Sequence, residues 1–110
     1  MLAFEISDLM NRRAAQGVKY LEFVRETDLS LGLYTLPAGG SDLQQPHTED
    51  EVYYVVRGRA QITVGDEDRA VEPGSIVYVK ANVPHRFHAI TEELSVLVAF
   101  GPAEYSRLKA

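Results

Sequence analysis

The stretch Gly39-Gly40-Ser41-Asp42-Leu43-Gln44-Gln45-Pro46-His47-Thr48-Glu49-Asp50-Glu51, continued by Val52-Tyr53-Tyr54-Val55-Val56 and Arg57-Gly58, decides how this chain is read. Its first half has loop composition, dense in Gly, Ser, Asp and Pro. On an extended segment, side chains two residues apart share a face. Gln45, His47, Glu49 and Glu51 therefore point the same way if no bulge intervenes. The apolar run 52–56 reads as a strand covered on both faces. Arg57-Gly58 reads as a tight turn into a half-exposed strand at 59–64, where Ala60, Ile62 and Val64 alternate with Arg59, Gln61 and Thr63.

Outward from that stretch the same period-2 texture continues. Strands are expected at 18–26, 29–36, 69–71, 76–79, 85–90 and 94–100, with turn residues at 65–68, 72–74 and 81–84. About eight or nine short strands at this spacing are the mark of a β-sandwich or barrel. One segment, 7–16, reads as helix. Ser7 stands as N-cap, Ile6, Leu9, Met10 and Ala14 fall at helical spacing, Arg12 and Arg13 suit the C-terminal end, and Gly17 follows as C′. This helix is expected to pack over an edge or an end of the main body. The tail 101–110 has an amphipathic flavour through Tyr105 and Leu108 but no assignable role.

Composition bounds the chemistry. The 110 residues amount to one domain, and a hydrophobic share of 45% is enough for a core. Eleven Lys and Arg against sixteen Asp and Glu leave a net charge of -5, so no basic footprint for nucleic acid exists and the charge argues against anionic lipid as a partner. No apolar run approaches the roughly 18 residues of a membrane span, and the N-terminus carries early acids instead of a secretory n-region. A soluble, cytoplasmic protein is expected. The absence of cysteine removes disulfides, thiolate metal sites and a cysteine nucleophile, leaving three histidines, carboxylates, hydroxyls and amides.

The stretch from Gly39, together with Gly74 and Pro84-His85-Arg86-Phe87-His88, resembles the cupin family. The first cupin motif runs Gly, five residues, His, one residue, His, three or four residues, Glu, six residues, Gly. In this chain those positions hold Gly39, Gln45, His47, Glu51 and Gly58. The second motif runs Gly, five residues, Pro, one residue, Gly, two residues, His, three residues, Asn; here it meets Gly74, Lys80, Asn82, His85 and Ala89. Gly74 and His85 fit, whereas Lys80, Asn82 and Ala89 depart, with Asn82 a mild change because Asn tolerates the left-handed conformation. The resemblance implies an all-β fold: a double-stranded β-helix (jelly-roll) barrel spanning about 18–101, preceded by the short helix, in a single domain over 1–110.

It also implies a divalent transition metal (Mn, Fe, Ni, Co or Zn) held by His47, Glu51 and His85, with Gln45 where the family's first imidazole stands. Imidazole and carboxylate suit such ions when no thiolate is present. Either Gln45 ligates or hydrogen-bonds a bound water, or the site is a two-His-one-carboxylate set of the kind found in non-haem iron oxygenases, or the metal is lost and a polar pocket persists. His47-Thr48-Glu49 with a distant His also resembles the triad of 2-oxoglutarate oxygenases, but those chains are far longer and need an arginine for the cosubstrate. Glu51 explains the spacing to Gly58, so Glu49 is expected as a solvated acid at the barrel mouth. His88, three residues from His85, faces the other way on a strand, and Arg86 reads as surface. Tyr53 and Val55 share parity with Glu51, and Phe87 and Ala89 with His85, which makes Tyr53, Val55 and Phe87 the candidate pocket walls.

Cupins include dioxygenases, isomerases and lyases as well as non-catalytic ligand-binding modules. The expected function is therefore a metal-dependent small-molecule enzyme, with a sensing or binding barrel as the alternative. A homodimer is expected, because a small barrel gains by covering its open sheet edges and the N-terminal segment can lie across a neighbour.

Overall fold

A computed structural model describes residues 1–43 and 46–107. The chain forms α1 (Ile6–Gln16), then β1 (Tyr20–Arg25), β2 (Ser30–Leu36), β3 (Asp50–Val64), β4 (Glu67–Val71), β5 (Ile76–Val79) and β6 (His85–Gly101). Every strand pairing among the described residues is antiparallel, in the order β1-β2-β6-β3-β4, with β5 on β3.

Two long strands replace the four short ones expected. The 51–56 and 59–64 runs are one strand, and so are 85–90 and 94–100. Arg57-Gly58 is a bend inside β3, where the β3–β6 register shifts repeatedly between Val55 and Gln61. Gly58 has φ 97°, and a Cβ there would lie 2.3 Å from the Glu93 carbonyl oxygen. Only glycine lets the two backbones come so close. The bend divides the ladder in two. One half pairs β1, β2, the later part of β6, the start of β3 and β5; the other pairs the first part of β6, the end of β3 and β4. Their inner faces meet in one core that includes Val55, Val79, Val96 and Phe100 from the first half and Ile62, Val71, Phe87 and Ile90 from the second. This is the jelly-roll barrel.

The run 52–56 is not covered on both faces. Glu51, Tyr53 and Val55 are buried, while Val52 and Tyr54 are 38% and 44% exposed. Their cross-strand partners Tyr78 and Ile76 are exposed too, so this half of the sheet presents an apolar outer face. Elsewhere α1 covers that face: Leu9 packs with Leu21 of β1 and Leu33 of β2. The helix begins one residue earlier than expected, with Glu5 in the cap position and no side-chain cap. The Asp8 and Leu9 amides bond to the Glu5 carbonyl, so Ser7 lies within the first turn. Gly17 closes the helix at φ 67°, bonding back to Ala14 and Arg13.

Candidate metal centre

Three elements bring the site together. His47 stands on the loop entering β3, Glu51 is the second residue of β3, and His85 opens β6. The turn before β6 is docked onto the loop: Asn82, at φ 67°, donates its amide to the His47 carbonyl, and the Ala81 amide bonds to Asp50. Asp42 ties the preceding loop to the barrel by accepting from the Tyr34 hydroxyl (2.7 Å) and the Phe87 amide (2.9 Å). Asp42, His47 and Asp50 are thus each tied by hydrogen bonds to the rest of the barrel.

His47, Glu51 and His85 offer ligand atoms that all lie within 4.8 Å of one another. The Glu51 Oε1 is 2.7 Å from His85 Nε2 and 3.4 Å from His47 Nδ1. Those nitrogens and both Glu51 oxygens are buried, and among the described residues none of them has a hydrogen-bond partner. Leaving such atoms without partners is costly. Burial alone raises the Glu51 carboxyl, but its contacts with His47 and His85 win and hold it below the ordinary carboxylate range. Burial likewise opposes charge on His47, yet Glu104 and Glu51 outweigh it and push its pKa up to about 9. His85 is raised in the same way, against burial, by Glu51 and by the Val83 carbonyl.

The orphaned atoms fit a cation. Two imidazole nitrogens and a carboxylate converge on one buried point, and a divalent first-row metal takes such donors. Tautomers agree with this. His85 Nδ1 lies 2.9 Å from the Val83 carbonyl, which can only accept, so Nδ1 carries the proton and Nε2 turns its lone pair to the cluster. His47 Nε2 lies 2.8 Å from the Glu104 carboxylate, leaving Nδ1 for the cluster. Gln45 lies outside the described residues.

A cavity of about 140 Å³ adjoins the triad, lined by Tyr20, Tyr34, His47, Glu51, Tyr53, Phe100, Glu104 and Tyr105 among others. Of the expected walls, Tyr53 lines it; Val55 and Phe87 are buried in the main core, where the Phe87 ring meets Tyr53 edge-on at 4.9 Å. Ala89 leaves the interior because its φ of 47° breaks the alternation of β6, and Ile90 is buried instead. His88 turns outward to Thr63 and Asp68, and Arg86 is exposed. A larger concavity, about 380 Å³, lies over Arg59, Arg69 and Glu72, and no triad residue lines it.

Glu49 is not a solvated acid. It is 1% exposed and accepts the Tyr105 and Arg107 amides at 2.6 and 2.9 Å, as well as the Thr48 hydroxyl. Burial raises its carboxyl, but these bonds bring it below its ordinary range. Segment 102–107 thus returns across the mouth of the barrel and brings Glu104 and Tyr105 into the cavity. Tyr20 was missed as well. Its ring occupies the space over Gly32, where a Cβ would lie 2.1 Å from the phenol oxygen. A glycine inside strand β2 was the available signal of that close approach.

The cupin-domain family model matches residues 32–100. The chain is a cupin. This cupin is 55% identical over 104 residues to an uncharacterised protein of Streptomyces coelicolor, covering 94% of this chain and 99% of that one. Among solved structures, the barrel is similar to a protein from Thermus thermophilus, with a TM-score of 0.73 and 23% identity over 94% of this chain and 99% of the other. It is also similar to the DMSP lyase DddQ from Ruegeria pomeroyi, with a TM-score of 0.72 and 20% identity, covering 83% of this cupin and 48% of the lyase. At these identities the structural likeness speaks to the fold. No helix among the described residues is long and apolar enough to cross a membrane.

Proposed function

We propose that this cupin is a small-molecule metalloenzyme whose ion is held by His47, Glu51 and His85, with Gln45 completing or tuning the shell. The observation that carries the reading is the convergence of three buried side chains, His47, Glu51 and His85, whose facing atoms have no hydrogen-bond partner among the described residues. A divalent Mn, Fe, Co, Ni or Zn ion bound there supplies Lewis acidity toward a substrate oxygen, the chemistry of dioxygenase-like and of isomerase- or lyase-like cupins. The chain's own residues do the rest. Tyr53 and Phe100 wall the cavity. The Tyr20 hydroxyl is buried and has no hydrogen-bond partner among the described residues, and burial followed by the nearby Glu104 and Glu22 carboxylates raises its pKa, so it stays a phenol able to donate to a substrate oxygen. At about 30 Å³ per water, 140 Å³ holds roughly five waters, so the substrate is a compact one.

A second reading, a non-catalytic ligand-binding barrel, is favoured by segment 102–107, which covers the cavity mouth. The two separate experimentally. Protein stripped with a chelator is titrated with each of the five metals, its thermal midpoint is followed, and the loaded protein is tested on diols, flavonols and thiols for oxygen uptake and for product. A raised midpoint with turnover supports the enzyme; a raised midpoint without turnover on any substrate supports the binder; no response to any metal overturns the metal site.

We also propose a homodimer. Val52, Tyr54, Ile76 and Tyr78 form cross-strand pairs on an outer sheet face that none of the described residues covers, and a second copy would bury them.

A further inference from the structure

Glu104 lies far outside both cupin motifs, on the segment that follows β6, yet its carboxylate holds the Nε2 edge of the His47 ring, away from the nitrogen that faces the cluster. We propose that Glu104 is a positioning residue of the metal centre and that segment 102–107 is a latch: docked, it fixes His47 as a ligand and sets the affinity of the ion. The inference rests on the metal reading above and adds to it a residue and a coupling.

The geometry is specific. His47 is 4% exposed and presents its two ring nitrogens to two carboxylates, Nδ1 toward Glu51 at 3.4 Å and Nε2 toward Glu104 at 2.8 Å. An ionised carboxylate only accepts, so Glu104 keeps the proton on Nε2 and leaves the Nδ1 lone pair for an ion. A carboxylate on the far nitrogen of a ligating histidine orients the ring and raises its basicity, and loss of such a partner typically weakens metal binding about 10–100-fold. His85 has the equivalent partner in the Val83 carbonyl. That partner is main chain in the turn before β6, whereas the partner of His47 arrives on a separate segment.

The latch is held at several points that do not depend on an ion. The Glu104 amide donates to Ser30 Oγ at 2.8 Å, and the Arg25 guanidinium donates to the Glu104 carbonyl at 2.8 Å. Glu49, buried beneath, takes the amides of Tyr105 and Arg107. The Tyr105 ring stacks on His47 with centroids 5.1 Å apart and planes 28° apart. Its backbone sits at φ 61°, a conformation a bulky residue adopts only when its surroundings hold it. If docking tightens the ion, the ion must tighten docking by the same factor.

The test measures Zn(II) affinity by chelator competition on the full chain, and amide hydrogen exchange at Tyr105 and Arg107 with and without Zn(II). Glu104→Ala is expected to weaken Zn(II) by about 10–100-fold, and Glu104→Gln, whose amide oxygen still accepts from Nε2–H, to lose less. Glu49→Gln, at a carboxylate that bonds Thr48 and the Tyr105 and Arg107 amides and none of the His47, Glu51 and His85 side chains, loosens the latch and is expected to weaken Zn(II) as well. In the wild type, Zn(II) slows exchange of both amides; in Glu104→Ala it does not. Wild-type affinity in Glu104→Ala overturns the latch while the metal reading stands, and so does equal loss in the Ala and Gln variants, because a hydrogen-bonding role requires the partial rescue. Exchange indifferent to Zn(II) in a wild type that binds it also overturns the latch. A wild type that takes up no Zn(II), Co(II) or Mn(II) overturns both readings together.

Discussion

Metal uptake by this barrel is expected to be strongly proton-linked, and the structure sets the size of the effect. Perturbing pH acts first on His47, whose pKa near 9 leaves it protonated in the metal-free protein at neutral pH. Its neutral fraction is about 0.3% at pH 6.5 and about 9% at pH 8, since each unit below the pKa removes a factor of ten. An ion that must displace that proton therefore gains about thirtyfold in apparent affinity across this interval, worth about 2 kcal/mol. His85, raised in the same sense, adds to the dependence, while Glu51, held low, is already ionised and adds none. Titration calorimetry at pH 6.5, 7.2 and 8.0, in buffers of different ionisation enthalpy, reads both the affinity and the protons released. At least one proton per ion is expected at pH 7.2. Affinity that is flat across the interval, with heats that ignore the buffer, would refute the reasoning. The same shift acts on stability without metal. A raised histidine pKa gives stability that is complete below its unfolded value of 6.5 and is lost as pH climbs through about 9. The lowered Glu49 and Glu51 act at the other end: their contribution is present above 4.5 and is lost as pH falls through their folded values. The metal-free protein should therefore melt lower at pH 9 than at pH 6.5, and bound metal should remove most of that difference.

Other consequences are structural. Gly58→Ala places a Cβ 2.3 Å from the Glu93 carbonyl at a φ of 97°, so a loss of about 3 kcal/mol and a fall of more than about 10 °C in thermal midpoint are expected; an unchanged midpoint contradicts the bend described for β3. Asp42→Ala strands the buried Phe87 amide and the Tyr34 hydroxyl, at about 1–3 kcal/mol for each, whereas Asp42→Asn keeps an acceptor and loses less in urea denaturation. Tyr54→Lys combined with Ile76→Lys charges the outer sheet face and should convert a dimer to monomer in sedimentation equilibrium; a wild type that is already monomeric removes the dimer.

The residues closest to the proposed chemistry were legible in the sequence, because His47, Glu51, Gly58, Gly74 and His85 keep their motif spacing and the structure brings the two histidines to one carboxylate. Asn82 in a glycine position was legible for the same reason, and it adopts the left-handed backbone that such a position requires. Parity arguments succeeded only where strands ran unbroken. They placed Phe87 inside and His88 outside, then failed at Ala89, where a single left-handed residue resets the alternation. The apolar run 52–56 misled because hydrophobicity does not distinguish a face buried by its own chain from one left open at Val52 and Tyr54. Glu49 misled for a longer-range reason. Its burial comes from residues 56 and 58 positions away, and an acid whose distant partners are two backbone amides leaves no trace of them in side-chain pattern. Glu104 and Tyr20 were hidden likewise, since nothing local to either residue announces the histidine or the glycine it meets.

The central claim is that His47, Glu51 and His85 form a metal centre, and elemental analysis of untagged protein purified without chelator tests it most directly, with His85→Ala measured beside it. About one divalent transition metal per chain in the wild type, and none in His85→Ala, is the result this account predicts. A wild type free of metal that no added Mn, Fe, Co, Ni or Zn will load, or a His85→Ala variant that keeps full occupancy, would contradict it.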